Sequence, residues 1–259
     1  MDLNKMTFEK KDGIGWARFN RPEKLNALNT EVFADIGTIV AACEDDDEVR
    51  VLVLTGSDKV FAAGADIDGM AQSTIKDAFA MTDRGIPVTE RLADFPKPTI
   101  AAISGYALGG GLEAALCCDF RIADHTAMVG LPEINLGIIP GGGGTQRLPR
   151  LINPSKALEL IMTGDIIEAK TALNLGILNQ VVAQGKLEAA VTELAKKLMA
   201  KPAMGIRAAK TAVRKGLNVS LKDGIALEQD LFCMLFGTQD QKEGMTAFLE
   251  KRKPVFKHT

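Results

Sequence analysis

Hydrophobic positions change their period several times along the chain, and each change marks a new element. Residues 6–10 and 15–19 flank Asp12-Gly13 and read as two strands joined by a hairpin turn, because Asp-Gly tolerates the positive φ that such turns need. From Thr30 onward, Phe33, Ile36, Val40 and Cys43 recur at steps of three and four. That spacing predicts one face of an amphipathic helix, with Asn29 or Thr30 as its N-cap. The acidic run 45–48 reads as a solvated turn, and 49–55 (VRVLVLT) as a β-branched strand stopped by Gly56. The order then returns more loosely. Residues 77–95 read as helix, with Pro87 breaking it or beginning a segment inside it. Residues 98–104 read as a buried strand, 112–118 as helix and 120–123 as a short strand. Strands alternating with helices predict an α/β core with parallel pairing.

Beyond Leu148 the pattern turns helical, over 154–162, 168–175, 187–199, 203–215, 220–236 and 239–251. Only 179–183 reads as a strand there. A boundary near residue 200 therefore divides an α/β core (1–200) from a helical C-terminal region (201–259), within the one or two domains expected for 259 residues.

Composition excludes several classes. Hydrophobic residues make up 46% and charged residues 25%, ordinary values for a folded chain rather than a disordered one. Lys and Arg number 31 against 33 Asp and Glu, so no charge excess favours nucleic acid or an anionic membrane. The stretch 207–215 (RAAKTAVRK) is the one candidate basic patch, and a solvated helix face accounts for it. Cys43, Cys117, Cys118 and Cys233 form no CxxC pair and read as reduced thiols. The first residues lack an apolar signal core, and the uncharged stretch 98–112 is short for a membrane span. A cytoplasmic protein is the expectation.

Chemistry concentrates in glycine-rich segments: 62–67 (AAGADI), 105–113 (GYALGGGLE) and 141–144 (GGGG). The second formally matches a relaxed dinucleotide fingerprint, Gly109-x-Gly111-x-x-Ala114, but Glu113 brings a carboxylate where a pyrophosphate needs neutral amides. A glycine turn leading from a strand into a helix has a second use. It presents backbone N–H groups that can stabilise a developing oxyanion. Glu113 and Glu133 each stand among apolar neighbours, and a poorly solvated carboxylate has its pKa raised towards the range useful for proton transfer.

These segments, with 132–133 (PE), 139–148 (IPGGGGTQRL), 20–28 (NRPEKLNAL) and 245–253 (MTAFLEKRK), resemble the crotonase (enoyl-CoA hydratase/isomerase) superfamily over nearly the whole chain and in the expected order. The resemblance implies an α/β fold built as a crotonase-like spiral of ββα units with a helical C-terminal oligomerisation region. It implies a homotrimer or homohexamer, a dimer of trimers. It implies reversible hydration of a trans-2-enoyl-CoA, as in fatty-acid β-oxidation, with coenzyme A entering as part of the substrate and no further cofactor or metal. By the same resemblance, the N–H groups of Ala65 and Gly110 would form the oxyanion hole, Glu113 and Glu133 would be catalytic, and Gly141 would help position water. Lys24, Leu25, Ala63, Gly64, Asp66 and Ile67 would line the coenzyme A path, and Phe248 and Lys251 would reach the adenine and phosphate region of a neighbouring subunit. The chain departs from the usual pattern at Leu131 (commonly Gln), Asp68 (often Lys) and Ser104 (commonly Asn). Two alternatives stay within the resemblance: a hydratase for a cyclic or dienoyl acyl group, and an enoyl-CoA isomerase.

Overall fold

A computed structural model describes residues 1–258. They fall into two compact units, residues 1–95 with 99–193, and residues 96–98 with those from 194 onward. The chain passes from the first unit to the second at residues 193/194.

The first unit opens with the hairpin β1 (Met6–Lys11) and β2 (Ile14–Phe19), paired antiparallel. Asp12 and Gly13 both take positive φ, 52° and 79°, which matches the right-handed twist of the flanking strands. Helix α1 (Thr30–Glu44) is capped by Asn29, whose side chain accepts the Val32 N–H at 3.0 Å. From this helix the buried Asp35 carboxylate accepts the N–H groups of Asn4, Lys5 and Met6, fixing the start of β1. Strand β3 (Val51–Thr55) then pairs parallel to β2.

From here each turn of the chain supplies two strands. β4 (Val60–Ala63) precedes α2 (Ile67–Met70) and α3 (Ile75–Ala93); β5 (Thr99–Ile103) and β6 (Tyr106–Leu108) precede α4 (Gly110–Cys117). β7 (Phe120–Asp124) and β8 (Met128–Gly130) lead through a 3-10 turn to α5 (Gly144–Leu151) and α6 (Pro154–Thr163). The first of each pair joins a six-stranded sheet ordered β1-β2-β3-β5-β7-β10; the second joins a four-stranded sheet ordered β4-β6-β8-β9. β9 (Ile166–Glu168), α7 (Ala169–Leu175) and β10 (Gln180–Val182) complete both sheets, and α8 (Leu187–Met199) crosses the division between units. This is the repeated ββα architecture that the resemblance implies. The core between the elements holds Phe61, Phe95, Ile103, Leu112 and Leu131, all buried.

The second sheet is absent from the hydrophobic pattern, which shows neither β4, β6, β8 nor β9. Strands of three or four residues are too short to display alternation, and β4 and β6 end inside glycine motifs. Pro87 neither breaks α3 nor begins it. It is exposed, as is Asp83, the residue whose carbonyl a proline at 87 leaves without its helical N–H partner.

The second unit is helical, with α9 (Ala203–Gly216) packed on α10 (Leu221–Leu235), followed by α11 (Gln239–Leu249). Ser220 and Thr238 cap the last two through Asp223 N–H and Gln241 N–H. After α11 the chain returns, and the N–H groups of Val255 and Lys257 donate to Glu243 and Asp240. No helix among the described residues is long and apolar enough to cross a membrane.

Candidate active site

Two glycines decide where the site forms. At Gly111, a side-chain carbon would fall 2.1 Å from the Ala62 carbonyl oxygen, so α4 lies against β4 at a distance only glycine allows. This contact sets the first turn of α4 beside the loop that follows β4. At Gly110 an added carbon would stand 3.8 Å from the Ala65 nitrogen.

Each of these two amides follows a glycine of positive φ, Gly64 at 92° and Gly109 at 49°. Residues 25–28 pair alongside 63–66 through Ala63 N–H to Leu25, Leu28 N–H to Gly64 and Asp66 N–H to Leu28, which leaves the Ala65 N–H out of the ladder. Gly110 opens α4, where first-turn amides have no intrahelical acceptor. The loop is held from behind by Arg21, which bonds the Ala27 carbonyl at 2.6 Å and the Asp66 carboxylate at 2.9 Å. Buried Asn26 adds bonds to the carbonyls of Val60 and Phe61.

The carboxylates converge on the same corner. Glu113, in the first turn of α4, is 5% exposed, and its Oε1 accepts the Gly142 and Gly144 N–H groups at 2.8 and 2.7 Å. Burial pushes its pKa above the ordinary value; the two amides and the nearby Arg147 charge pull the other way without cancelling it. Glu133 follows Pro132 in the 3-10 turn Pro132–Leu136. Its Oε1 would lie 2.8 Å from a side-chain carbon at Gly109, and its Oε2 is buried without a hydrogen-bond partner. Burial, with the Glu113 charge adding to it, pushes Glu133 up to about 7. Leu131, 1% exposed, offers this carboxylate no polar support. Two amides able to hold an oxyanion and two carboxylates whose pKa burial raises can together move protons at a carbon next to a carbonyl.

With this geometry in place, comparison with known proteins is decisive. The sequence model described as enoyl-CoA hydratase/isomerase matches residues 9–259. The chain belongs to that family. It is 43% identical to the crotonyl-CoA hydratase of Syntrophomonas wolfei over 257 residues, 99% of each chain. It is 40% identical to a short-chain-enoyl-CoA hydratase of Clostridium acetobutylicum, over 98% of this chain and 97% of that one. A solved enoyl-CoA hydratase subunit from Geobacillus kaustophilus superposes with a TM-score of 0.96 at 42% identity, covering all of both chains.

Within this family member, Lys24, Leu25, Ala63, Gly64, Asp66 and Ile67 come together on the paired segments 20–28 and 63–70. Leu25 and Ile67 are exposed, Lys24 forms an ion pair with Asp68, and the Asp66 carboxylate is engaged by Arg21. Phe248, 82% exposed, and Lys251, at φ 55°, belong to the second unit, at the end of α11. Gly141 faces open space; the amides that reach Glu113 are those of Gly142 and Gly144. Residue type does not distinguish these two donors from the other glycines of 141–144, and nothing near Arg147 in the sequence ties it to Glu113. Among the described residues no group of three His, Cys, Asp or Glu side chains could hold a metal ion.

Proposed function

We propose that the chain is an enoyl-CoA hydratase that adds water reversibly, with syn geometry, to short-chain trans-2-enoyl-CoA thioesters. The observation that carries this reading is the corner where the Ala65 and Gly110 amides and the Glu113 and Glu133 carboxylates meet. The names of the crotonyl-CoA and short-chain relatives support the acyl length.

The thioester oxygen accepts both amide N–H groups. Glu113, ionised, takes a proton from water as the water oxygen bonds to C3, and the alkene electrons move onto the thioester oxygen as an enolate. Glu133, protonated, then delivers its proton to C2 as the enolate collapses, giving the 3-hydroxyacyl-CoA. Holding the enolate is the larger electrostatic task, since one such donor is typically worth about 10²–10³ in rate. Coenzyme A is part of the substrate, carried along Lys24, Leu25, Ala63, Gly64, Asp66 and Ile67. The proposed reaction needs no separate cofactor, and a role in fatty-acid β-oxidation in the cytoplasm is part of the proposal.

Assembly as a trimer or dimer of trimers is part of the proposal, with Phe248 and Lys251 serving a neighbouring subunit. Exposed apolar side chains on the second unit, among them Leu221, Met234, Phe248 and Leu249, support a covered surface there.

The test is a panel of 2-enoyl, 3-enoyl and cyclic dienoyl thioesters with wild type, Glu113→Gln and Glu133→Gln. Crotonyl-CoA is turned over best, and either substitution lowers hydration at least about a hundredfold. Near-normal hydration by both variants, or preference for a 3-enoyl thioester, sinks the reading.

A further inference from the structure

Arg147 stands outside the proton-transfer scheme yet touches what supports it. It lies one turn into α5, and its side chain curls back over the start of that helix. Nη1 donates to the Gly142 carbonyl at 2.9 Å, and Nη2 forms an ion pair with Glu90 of α3. The guanidinium lies so close to the chain that a side-chain carbon at Gly143 would fall 2.0 Å from Nη1, and Gly143 itself sits at φ 104°. The carbonyl it grips belongs to the peptide between Gly142 and Gly143. On either side of that peptide are the amides of Gly142 and Gly144, which donate to Glu113.

We propose that Arg147 is a positioning residue for hydration: it fixes the Gly142–Gly144 segment, and through it the Glu113 carboxylate, with Glu90 anchoring Arg147 to α3. The inference rests on the reading of Glu113 as the base. A peptide plane with a positive-φ glycine in it has several accessible orientations, and a fixed guanidinium selects one. Arginine suits this place because its planar fork serves two acceptors at once, a carbonyl and a carboxylate.

The charges around Glu113 are few. From α5 it is Arg147, whose charge favours the ionised form; from the 3-10 turn it is Glu133; from α3 it is Glu90, behind Arg147. β4 (VFAA) and β6 (YAL), which pack against α4, contain no Asp, Glu, His, Lys or Arg; Tyr106 of β6 is an exposed phenol. Removing Arg147 therefore loosens the amide clamp and withdraws the cation that helps keep Glu113 ionised. Both effects act on turnover rather than on substrate binding.

The experiment measures kcat and KM for crotonyl-CoA against pH in wild type, Arg147→Met, Arg147→Lys and Glu113→Gln. Arg147→Met loses up to about a hundredfold in kcat, the scale of a misplaced catalytic group, with KM little changed. Its acid limb moves to higher pH. Arg147→Lys keeps the charge, so the limb returns towards its wild-type position while kcat recovers only in part. An Arg147→Met enzyme with the wild-type acid limb, or a change confined to KM, overturns the proposal. If circular dichroism shows Arg147→Met unfolded, Glu90→Lys takes its place, because that side chain is exposed and a cation there repels Arg147 from its anchor. A several-fold fall in kcat at unchanged KM supports the proposal, and wild-type kcat overturns it. Hydration preserved in Glu113→Gln defeats the reading of the site itself; an inactive Glu113→Gln beside an unaltered Arg147→Met defeats only the role of Arg147.

Discussion

Glu113 and Glu133 are the same side chain in two different settings, and their division of labour follows from that. Glu113 gives one oxygen two amide donors and has a cation behind it, which favours the ionised form against its burial. Glu133 is desolvated, with one oxygen orphaned, and has a carboxylate neighbour; burial first and that charge second favour the protonated form up to about pH 7. Hydration therefore falls on the alkaline side as Glu133 loses its proton, and on the acid side as Glu113 gains one. The pH profile of kcat/KM checks this: Glu133→Gln abolishes the alkaline limb along with most of the rate. Stability responds too. Native Glu133 holds its proton to about 7, whereas the ordinary value is 4.5. Between those values the native state binds a proton that the unfolded chain has released, so this contribution is full below 4.5 and is lost as pH rises through 7. Glu133→Gln consequently gains Tm over wild type as the buffer is raised from pH 5 to pH 8, a trend thermal melts will show.

At the scale of elements, the site depends on how closely α4 approaches β4. The Gly111 contact with Ala62 sets that distance, and Gly105 makes a similar one, where an added carbon would fall 1.7 Å from the Lys59 carbonyl oxygen. Gly111→Ala forces α4 outward and costs about 1–3 kcal/mol of stability, as overpacking does. Since Gly110 and Glu113 ride on the same helix, activity falls with it. Urea denaturation together with crotonyl-CoA hydration reads both effects, and unchanged values in either refute the argument. Buried Arg121 restrains the other end of α4 by donating to the Ala115 and Cys118 carbonyls. A cation there suits the negative end of the helix dipole.

For the whole molecule, the apolar side chains exposed on α10 and α11 are the feature that one chain leaves open. Leu221 is 80% exposed and Leu249 79%. A surface of this kind is normally covered by another copy. The proposed trimer or dimer of trimers predicts three or six times the 27.7 kDa of one subunit in light scattering on the full chain. Leu221→Glu with Met234→Glu lowers that mass, and a wild-type mass of one subunit refutes the assembly.

Much of this was local information. The Asp12-Gly13 hairpin, the Asn29 cap, the buried strands and the later helices depend on neighbours a few residues away, so the order of residues determined them without further help. The glycine segments and the two glutamates also stood out, because glycine runs and charges among apolar residues are visible in one dimension. The second sheet was not visible: β4, β6 and β8 are stabilised by pairing with one another, across separations no periodicity records. The donors to Glu113, 29 and 31 residues further along the chain, were likewise decided by tertiary structure alone. So was Arg147, since its partner Glu90 lies on another helix 57 residues away. A sequence encodes the preference of each segment for its own conformation. Which amide faces which carboxylate is settled only when those segments pack.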